Sequence, residues 1–513
     1  MRTDKEQFDL VTENYEKREG AVRRRRKIVT VTVAMSLAVM MIVSSVIFLP
    51  GLLKRDPEKK PVETVTVNDP ETASPAAETE KDPAVTPGAP LENGGSEYYI
   101  TDKGKADKLD PFGRTEDPSG LPFDPVEDAE WGAAPAPAVP DRISGYLDAE
   151  IKPWKDYFVP GKDDQTVYTA GTLTGAELRD RLYFEDYLKS VKELLEKDDG
   201  IKKFDTSAEK RIKVTVKNEG VPQSFVKVDL HVSGREDPVW TALTDNKGEA
   251  YLYFNVRADE AQEPSHLTYS TPYGMGSYNL RTGDGYDEYV ELQINGKAAT
   301  KKLDLMFMID TTGSMGDELE YLKTEIRDII AKIVGDRNYS VRTSVNFYRD
   351  KGDEYIVHAT PFTTDPEEVY EYIRKEYSAG GGDFPEAVHT ALDNAVNGHE
   401  WDEDAVKLCF FVLDAPPHYE NQEYGDSVYE TLRGAVKTAA AEGIRIIPIV
   451  SSGSDSLTEY LMRTYAVMTG GTYTFLTDHS GVGNPHSEPD TDVQYEIEKL
   501  NDMIVRIAKE YME

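Results

Sequence analysis

The C-terminal part of the chain alternates between continuous apolar runs and segments in which apolar residues recur every three to four positions. Continuous runs are typical of strands buried on both faces, and the three-to-four spacing is typical of helices. The predicted strands lie at residues 303–309, 341–348, 406–413, 444–450 and 473–476. The predicted helices lie at residues 319–333, 386–397, 426–442, 455–468 and about 492–511. This alternation predicts an α/β domain over residues 302–511 with a doubly wound, Rossmann-like parallel sheet.

Residues 210–300 carry a shorter period, in which every second position tends to be apolar. Ile212, Val214 and Val216 alternate with charged residues, and a similar run follows at 226–230. The segment 244–248, Thr-Asp-Asn-Lys-Gly, is predicted to form a hairpin turn. Short alternating strands separated by turns predict a small all-β sandwich. A Gly-Val-Pro turn, a strand and a Thr-Asp-x-x-Gly turn, in that order, resemble the carboxypeptidase-regulatory and transthyretin-like sandwiches, which implies a spacer or a binding module.

Residues 141–209 are predicted to form a helical connector ahead of the sandwich. Apolar residues from Leu178 to Leu195 recur at helical spacing, and Thr174 with Glu177 matches a capping box, so 172–199 is predicted to be one helix packed on a neighbouring domain. Residues 54–140 are rich in Pro, Ala, Glu, Asp and Thr. Because such a segment buries too little surface to offset its ordering entropy, it is predicted to be a disordered acidic stalk.

A mostly apolar stretch of about 22 residues without a charge runs from residue 28 to residue 49. About 20 apolar residues in a helix span a bilayer core, so residues 28–53 are predicted to be a transmembrane anchor and residues 1–27 a cytoplasmic tail. A cleaved signal peptide is the alternative, but no small-x-small cleavage site follows the stretch. Basic residues flank both sides and are more numerous at 23–27, which favours a cytoplasmic N-terminus and an extracellular bulk.

Charge and cysteine content narrow the function classes. The chain has 58 Lys and Arg residues against 94 Asp and Glu residues. Nucleic acid is an unsuitable partner for so acidic a chain, because phosphate neutralisation needs a basic face. A single cysteine, Cys409, excludes an intramolecular disulfide and a CxxC zinc motif, and its apolar surroundings predict a core thiol. The chain also lacks a Walker loop, a Gly-x-Ser-x-Gly elbow and a His-Glu-x-x-His motif.

Oxygen-bearing side chains follow two of the predicted strands. Asp310 ends the first strand of the α/β domain, in Asp-Thr-Thr-Gly-Ser, and alternate residues of that turn place Asp310, Thr312 and Ser314 on one side. Asp414 ends a later strand, and ligands of such sheets bind beyond the carboxyl ends of the strands. A carboxylate and hydroxyl set suits Mg²⁺, Mn²⁺ or Ca²⁺. The sequence therefore predicts a divalent-metal site at Asp310, Thr312, Ser314 and Asp414.

These residues resemble the von Willebrand factor type A domain and its metal-ion-dependent adhesion site, whose Asp-x-Ser-x-Ser pattern appears here as Asp310-x-Thr312-x-Ser314. The resemblance covers residues 302–511 and includes the Gly-Gly-Gly-Asp-Phe-Pro-Glu segment 380–386 and the Thr-Gly-Gly-x-Tyr segment 469–473. It implies a bound divalent ion, with Mg²⁺ first, and an open coordination position that an acidic side chain of a partner completes.

One position departs from that family pattern. The third loop commonly offers a Thr, and here Asp383 stands at the matching position, which makes Asp383 a fifth candidate ligand. The alternative is structural, with Asp383 as a helix N-cap and Glu386 as its capping-box partner. Asp350 is interpreted as a surface carboxylate, or as an outer neighbour of the metal, and His418 as a loop-packing residue.

The leading functional hypothesis is a membrane-anchored cell-surface protein, of bacterial type, that binds a protein or glycan through the metal. A non-enzymatic scaffold for an envelope complex is the second hypothesis, and a metal-dependent enzyme is the third. The chain is expected not to be an enzyme, because no general base is apparent beyond the metal ligands.

Overall fold

The computed structural model describes residues 96–109, 168–198, 200–204, 206, 208–256, 262–281, 285–419 and 427–513. The predicted cytoplasmic tail, the transmembrane anchor and most of the predicted stalk lie outside these ranges. In the part of the chain that is described, no helix combines the length and apolar character needed to cross a bilayer.

The described strands and helices divide between one large sheet with its helices and two small sheets. The strands are β1 Tyr98–Thr101, β2 Gly104–Ala106, β3 Thr174–Leu178, β4 Ala208–Asn218, β5 Val221–Pro222, β6 Lys227–Val232, β7 Trp240–Leu243, β8 Glu249–Val256, β9 Pro264–Thr271, β10 Gly274–Asn279, β11 Tyr289–Gln293, β12 Lys302–Asp310, β13 Ser340–Tyr348, β14 Val357–Ala359, β15 Val406–Leu413, β16 Ile444–Val450, β17 Tyr473–Leu476 and β18 Ile497–Lys499. The α-helices are α1 Phe184–Lys197, α2 Leu319–Val334, α3 Pro366–Lys375, α4 Val388–Asn397, α5 Val428–Glu442, α6 Ser456–Thr469 and α7 Leu500–Met512.

The large sheet has ten strands in the order β18-β3-β17-β16-β15-β12-β13-β14-β1-β2. Its central strands pair in parallel, from β13 through β12, β15 and β16 to β17. The strands beyond β13 and beyond β17 pair antiparallel. The sequence predicted a wholly parallel sheet, and the difference lies in short edge strands that no crossover helix connects to the centre.

Both faces of the sheet are covered, as the continuous apolar runs predict. On β12, Leu305 and Phe307 belong to one buried cluster while Met306 and Met308 belong to the other. Helices α2, α3 and α7 contribute to the first cluster, and α4, α5 and α6 to the second. Cys409 is fully buried in the second cluster, in agreement with its predicted role as a core thiol. The fold is thus the predicted doubly wound α/β arrangement.

Part of the predicted disordered stalk is ordered. Within the range 54–140, strand β1 pairs with β14, and β2 pairs with β1 at the edge of the large sheet. Tyr98 is buried, and its hydroxyl donates to the carbonyl of Gly398 over 3.0 Å. The expectation of disorder is wrong for 96–109, because pairing with an existing sheet edge supplies the burial that this short segment lacks by itself.

The predicted single helix at 172–199 is also corrected. Residues 174–178 form β3, which lies between β17 and β18, and α1 begins only at Phe184. The backbone N–H groups of Gly171, Thr172 and Leu173 donate to the buried carboxylate of Glu325, at 2.8, 2.8 and 3.0 Å. Thr174 and Glu177 therefore belong to a strand and do not form a capping box. Pairing with β17 and β18 outweighs the helical spacing of the apolar residues.

The predicted sandwich is present as two four-stranded sheets within 208–293, with the order β10-β9-β6-β7 in one and β11, β4, β5 and β8 in the other. Inward-facing side chains such as Val214, Val228 and Leu252 share one buried cluster. The turn at 244–248 forms, with the N–H of Gly248 donating to the carbonyl of Asp245 over 2.9 Å. It is not a hairpin turn, since β7 and β8 belong to different sheets.

The sandwich is an insertion and does not precede the α/β domain. Strands β1, β2 and β3 of the large sheet come before it in the chain, and β12 to β18 come after it. The α/β domain therefore extends beyond the predicted 302–511 to include 96–109 and 174–178, and the helical connector of 141–209 belongs in part to its sheet.

Candidate metal centre

Two aspartates meet where neighbouring parallel strands end. Asp310 is the last residue of β12, and Asp414 directly follows β15. The register pairs Ile309 with Val412, so both carboxyl groups lie at the same edge of the sheet. Asp310 is completely buried and Asp414 is 4% exposed. Asp310 and Asp414 thus lie at the ends of adjacent strands, as the sequence predicts.

The loop after β12 brings Thr312 and Ser314 to Asp310. The backbone N–H and the hydroxyl of Thr312 both donate to Oδ1 of Asp310, at 2.9 and 2.6 Å. The hydroxyl oxygens of Thr312 and Ser314 are 3.1 Å apart. Thr312 precedes a short 3₁₀ turn, Gly313–Asp317, in which Ser314 is exposed. This loop orients one oxygen of Asp310 and leaves the site open to solvent on the Ser314 side.

The other oxygens of the two aspartates are buried without a partner. Among the described residues, neither Oδ2 of Asp310 nor Oδ1 of Asp414 has a hydrogen-bond donor. Burial raises the pKa of Asp310 to about 6. Burial, and then the Asp310 carboxylate, raises the pKa of Asp414 to about 7, while the Ser314 hydroxyl acts in the opposite direction. Buried carboxylates without donors are costly unless a cation or a proton compensates them.

Glu386 is a third buried carboxyl group at this site, and sequence reasoning missed it. Its backbone pairs with the loop after β15, where its N–H donates to the carbonyl of Pro416 over 3.0 Å. Its Oε2 is also buried with no donor among the described residues. Burial raises the pKa of Glu386 to about 10, with further contributions from the carboxylates around it. These are Asp310, Asp350, Asp414 and Asp353.

Two more buried groups face the cluster. Glu318, at the end of the loop after β12, is completely buried, has one oxygen without a donor in the described structure, and raises the pKa of Asp414. Tyr348, the last residue of β13, is buried with its hydroxyl near Asp310, and burial followed by the Asp310 charge raises its pKa well above the usual value. Nε2 of His486 lies 3.0 Å from Oε1 of Glu318, and the raised pKa of Tyr348 keeps its phenol neutral. The sequence predicted neither Glu318 nor Tyr348 at this site.

Asp383 lies in a different group from the one predicted. Its carboxylate is exposed and lies near Asp350 and His418, with one ligand atom of each residue within 4.8 Å of the others. The structural alternative is wrong, because α4 begins at Val388 with Ala387 as its N-cap. Asp350 is only 4% exposed and His418 only 2%, so the interpretation of Asp350 as a surface carboxylate is also wrong.

The glycine segment 380–382 connects the two groups of acidic residues. Gly380 and Gly381 have positive φ values of 78° and 70°. A Cβ on Gly380 would lie 2.2 Å from a carboxylate oxygen of Asp353, and one on Gly381 would lie 2.9 Å from Oε1 of Glu386. Only glycine fits a backbone with this φ so close to the half-buried Asp353 and the buried Glu386. The segment thus holds Glu386 against the loop after β12.

Sequence comparison identifies the domain that carries this site. Residues 304–429 match the family described as von Willebrand factor A domain. The chain contains a von Willebrand factor A domain. The matched segment begins in β12 and ends in α5, so it includes every acidic residue described above.

Several curated proteins are similar to parts of the chain. The mouse von Willebrand factor A domain-containing protein 7 is 32% identical over 111 residues, which are 20% of this chain and 12% of that protein. An ariadne-like RING finger protein of Acanthamoeba polyphaga mimivirus is 28% identical over 188 residues, which are 34% of this chain and 18% of that protein. The chain spans less than a fifth of the length of these curated relatives.

Two solved structures are also similar to the chain. The conserved hypothetical protein BatB from Bacteroides thetaiotaomicron has 13% sequence identity and a TM-score of 0.29, and covers 41% of this chain and 98% of its own. An aerotolerance-related membrane protein from Bacteroides fragilis has 14% identity and a TM-score of 0.26, with the same coverage.

The residues of this von Willebrand factor A domain fit a divalent metal ion. The side chains that meet at the ends of β12 and β15 offer only oxygen atoms, which hard cations prefer. Two of these oxygens, on Asp310 and Asp414, are buried and lack donors in the described structure. A cation between them would supply the compensation that the protein does not.

Proposed function

We propose that the chain binds a protein or glycan partner through a divalent ion held by Asp310, Thr312, Ser314 and Asp414. The observation that supports this most is the pair of buried, unpartnered oxygens on Asp310 and Asp414, next to an exposed hydroxyl at Ser314. Mg²⁺ is the ion proposed, because hydroxyls and carboxylates in a small oxygen site suit it, and Mn²⁺ or Ca²⁺ are the alternatives.

In this proposal the protein residues hold the ion and keep one side of it accessible. Thr312 fixes one oxygen of Asp310 by two hydrogen bonds, so the other oxygen remains directed away from the loop. The ion would supply an open position that accepts an acidic group of the partner. Glu386 lies on the side of the glycine segment, and its carboxyl group would become a negatively charged neighbour of the ion once the ion replaces its proton.

The proposed setting is the cell surface. The uncharged stretch at 28–49 and the basic residues before it support a single membrane anchor with a cytoplasmic N-terminus. The proposed role is binding and not catalysis, since the acidic residues gathered at the strand ends are those that would hold the ion. Binding of a partner within the same membrane, as a scaffold would do, remains the alternative.

A capture experiment on the full chain tests this function. Membranes of its own cells would be incubated in Mg²⁺ or in EDTA and then cross-linked, and the chain would be isolated from them. Asp310→Asn would be treated in the same way, with Asp237→Asn, at an exposed carboxylate of the sandwich, as the control. We expect the same partner with wild type and Asp237→Asn in Mg²⁺, and none in EDTA or with Asp310→Asn. Equal recovery of the partner in EDTA would contradict the proposal, and the partner's identity would separate adhesion from a scaffold.

A further inference from the structure

Three residues from three different loops form a second candidate cation site beside the first. Asp350 follows β13, Asp383 lies in the loop after the glycine segment, and His418 lies four residues beyond Asp414. One ligand atom from each of them lies within 4.8 Å of the other two. None of the three is a residue of the first site, which consists of Asp310, Thr312, Ser314 and Asp414.

The two buried members are already in contact. Nε2 of His418 lies 2.7 Å from Oδ1 of Asp350, and both side chains are almost completely buried. A histidine nitrogen and a carboxylate oxygen at this distance form a hydrogen bond when no metal is present. The same pair of atoms becomes a nitrogen and an oxygen ligand when a metal ion takes the proton's place. Because Asp383 is exposed, the third ligand lies on the side from which an ion enters.

Two further buried groups near these residues lack a partner among the residues described. Oε2 of Glu386 has no donor, and the Asp350 carboxylate is one of the charges that act on this group. Nδ1 of His389, in the first turn of α4, also has no partner, and His389 is an electrostatic neighbour of His418 and Asp350. Buried polar atoms normally have a partner. The two atoms without one therefore support a bound cation here independently of the distances between Asp350, Asp383 and His418.

We infer that Asp350, Asp383 and His418 bind a second divalent cation of the transition-metal class, such as Zn²⁺, for which Mn²⁺ is a paramagnetic substitute. The donor set decides the class, because imidazole nitrogen suits Zn²⁺ whereas Mg²⁺ and Ca²⁺ select oxygen ligands. Glu386 is a neighbour of both sites, since the Asp310 and Asp414 carboxylates of the first and the Asp350 carboxylate of the second all act on it. The domain would thus hold two cations of different chemical class.

Spectroscopy of Mn²⁺ tests the histidine ligand directly. The full chain in detergent would be loaded with Mn²⁺ and its electron spin echo envelope recorded for a ¹⁴N coupling. We expect the coupling in wild type and in His479→Gln, which changes an exposed histidine, and no coupling in His418→Gln. A wild-type spectrum without ¹⁴N coupling at two bound Mn²⁺ ions, or one that His418→Gln leaves unchanged, would overturn the inference.

A Zn²⁺ titration in saturating Mg²⁺ gives a second and separate test. Loss of one ligand should weaken Zn²⁺ binding by at least about tenfold in Asp383→Asn, whose exposed side chain makes it safe for folding, and leave it unchanged in Asp237→Asn. Zn²⁺ binding that persists in Asp310→Asn separates this site from the first one. The inference fails if Asp383→Asn and His418→Gln both keep wild-type Zn²⁺ affinity, or if Mg²⁺ displaces the Zn²⁺ completely.

Discussion

At the scale of single residues, the buried carboxyl groups of Asp310, Asp414 and Glu386 favour the protonated form when no cation is present. Asp310, Asp414 and Glu386 have pKa values raised to about 6, 7 and 10, in each case first by burial. Metal ions bind the deprotonated forms. A cation and a set of protons are therefore alternative ways of compensating the same buried oxygens.

Asp414→Asn is expected to stabilise the metal-free protein at high pH. A carboxyl group whose pKa rises from 3.8 to about 7 on folding stabilises the fold fully below pH 3.8, and this contribution is lost as the pH rises through 7. In EDTA at pH 8 we expect the variant to have a free energy of unfolding about 1–3 kcal/mol above wild type, with a smaller difference at pH 5.

Urea unfolding in EDTA at pH 5 and pH 8 measures this difference. Adding Mg²⁺ at pH 8 should stabilise wild type and leave Asp414→Asn unchanged, which provides the control. A variant less stable than wild type at pH 8 in EDTA would show that the Asp414 charge is already compensated within the protein.

Glu386→Gln separates a ligand role from a structural one. Because the raised pKa keeps Glu386 protonated at neutral pH without a cation, a glutamine of the same shape should change the metal-free stability by less than about 1 kcal/mol. Divalent-ion binding should weaken by about tenfold or more. Calorimetric titration measures the affinity, and Glu496→Gln at an exposed site is the matched control; wild-type affinity in Glu386→Gln would contradict the role.

The residues adjacent in sequence were predictable, and those that arrive through loops were not. Asp310, Thr312 and Ser314 share one turn, and Asp414 ends a strand that pairs with β12, so strand order alone brings them together. Glu386 lies close to them because its backbone forms an isolated β-bridge with Pro417, in the loop after β15. Its only sequence signal is the Gly-Gly-Gly-Asp-x-Pro-Glu segment, in which Asp383 is the candidate ligand and Glu386 enters only as the capping-box partner in the structural alternative. That alternative depends on a helix start at 386, and α4 begins two residues later, at Val388.

At the scale of elements, strand β3 shows how context overrides local spacing. Gly175 and Ala176 lie between β17 and β18, and a Cβ on Gly175 would lie 2.9 Å from Cε of Met503. The segment fits at this place only because Gly175 and Ala176 have little or no side chain. The spacing of apolar residues along the sequence does not indicate this requirement. The long apolar strands β15 and β16, in contrast, have the predicted bounds, since burial on both faces leaves an unbroken apolar run.

The ion pair between Asp180 and Arg463 joins the segment after β3 to α6. Nε and Nη2 of Arg463 donate to the two oxygens of Asp180 over 2.7 and 3.0 Å, and both residues are buried. Without the Asp180 charge, the buried Arg463 guanidinium keeps only Glu459, at 2.9 Å, as a carboxylate partner. Asp180→Asn should therefore destabilise the protein by about 2 kcal/mol. Asp186→Asn, at an exposed position in α1, should change the stability by less than about 1 kcal/mol in the same thermal unfolding experiment. A similar melting temperature for the two variants would contradict this role of the pair.

At the scale of the whole molecule, the sandwich interrupts the large α/β sheet along the chain, so the C-terminal part of the chain lacks strands of that sheet. A fragment of residues 302–513 lacks β3, which leaves β17 as an unpaired edge and Arg463 without Asp180. We expect this fragment to aggregate or to unfold without a cooperative transition, whereas a fragment of residues 96–513 should unfold cooperatively. Circular dichroism melts and limited proteolysis compare the two, and a cooperative 302–513 fragment of equal melting temperature would contradict the insertion's structural role.

The central claim is that the buried oxygens of Asp310 and Asp414 hold a divalent ion. Calorimetric titration of Mg²⁺ into the EDTA-treated full chain at pH 7.5 tests it most directly, with Asp310→Asn and Asp237→Asn measured in parallel. The account predicts saturable binding to wild type and Asp237→Asn and no measurable binding at this site in Asp310→Asn. Equal Mg²⁺ binding by wild type and Asp310→Asn, or no binding by wild type, would contradict it.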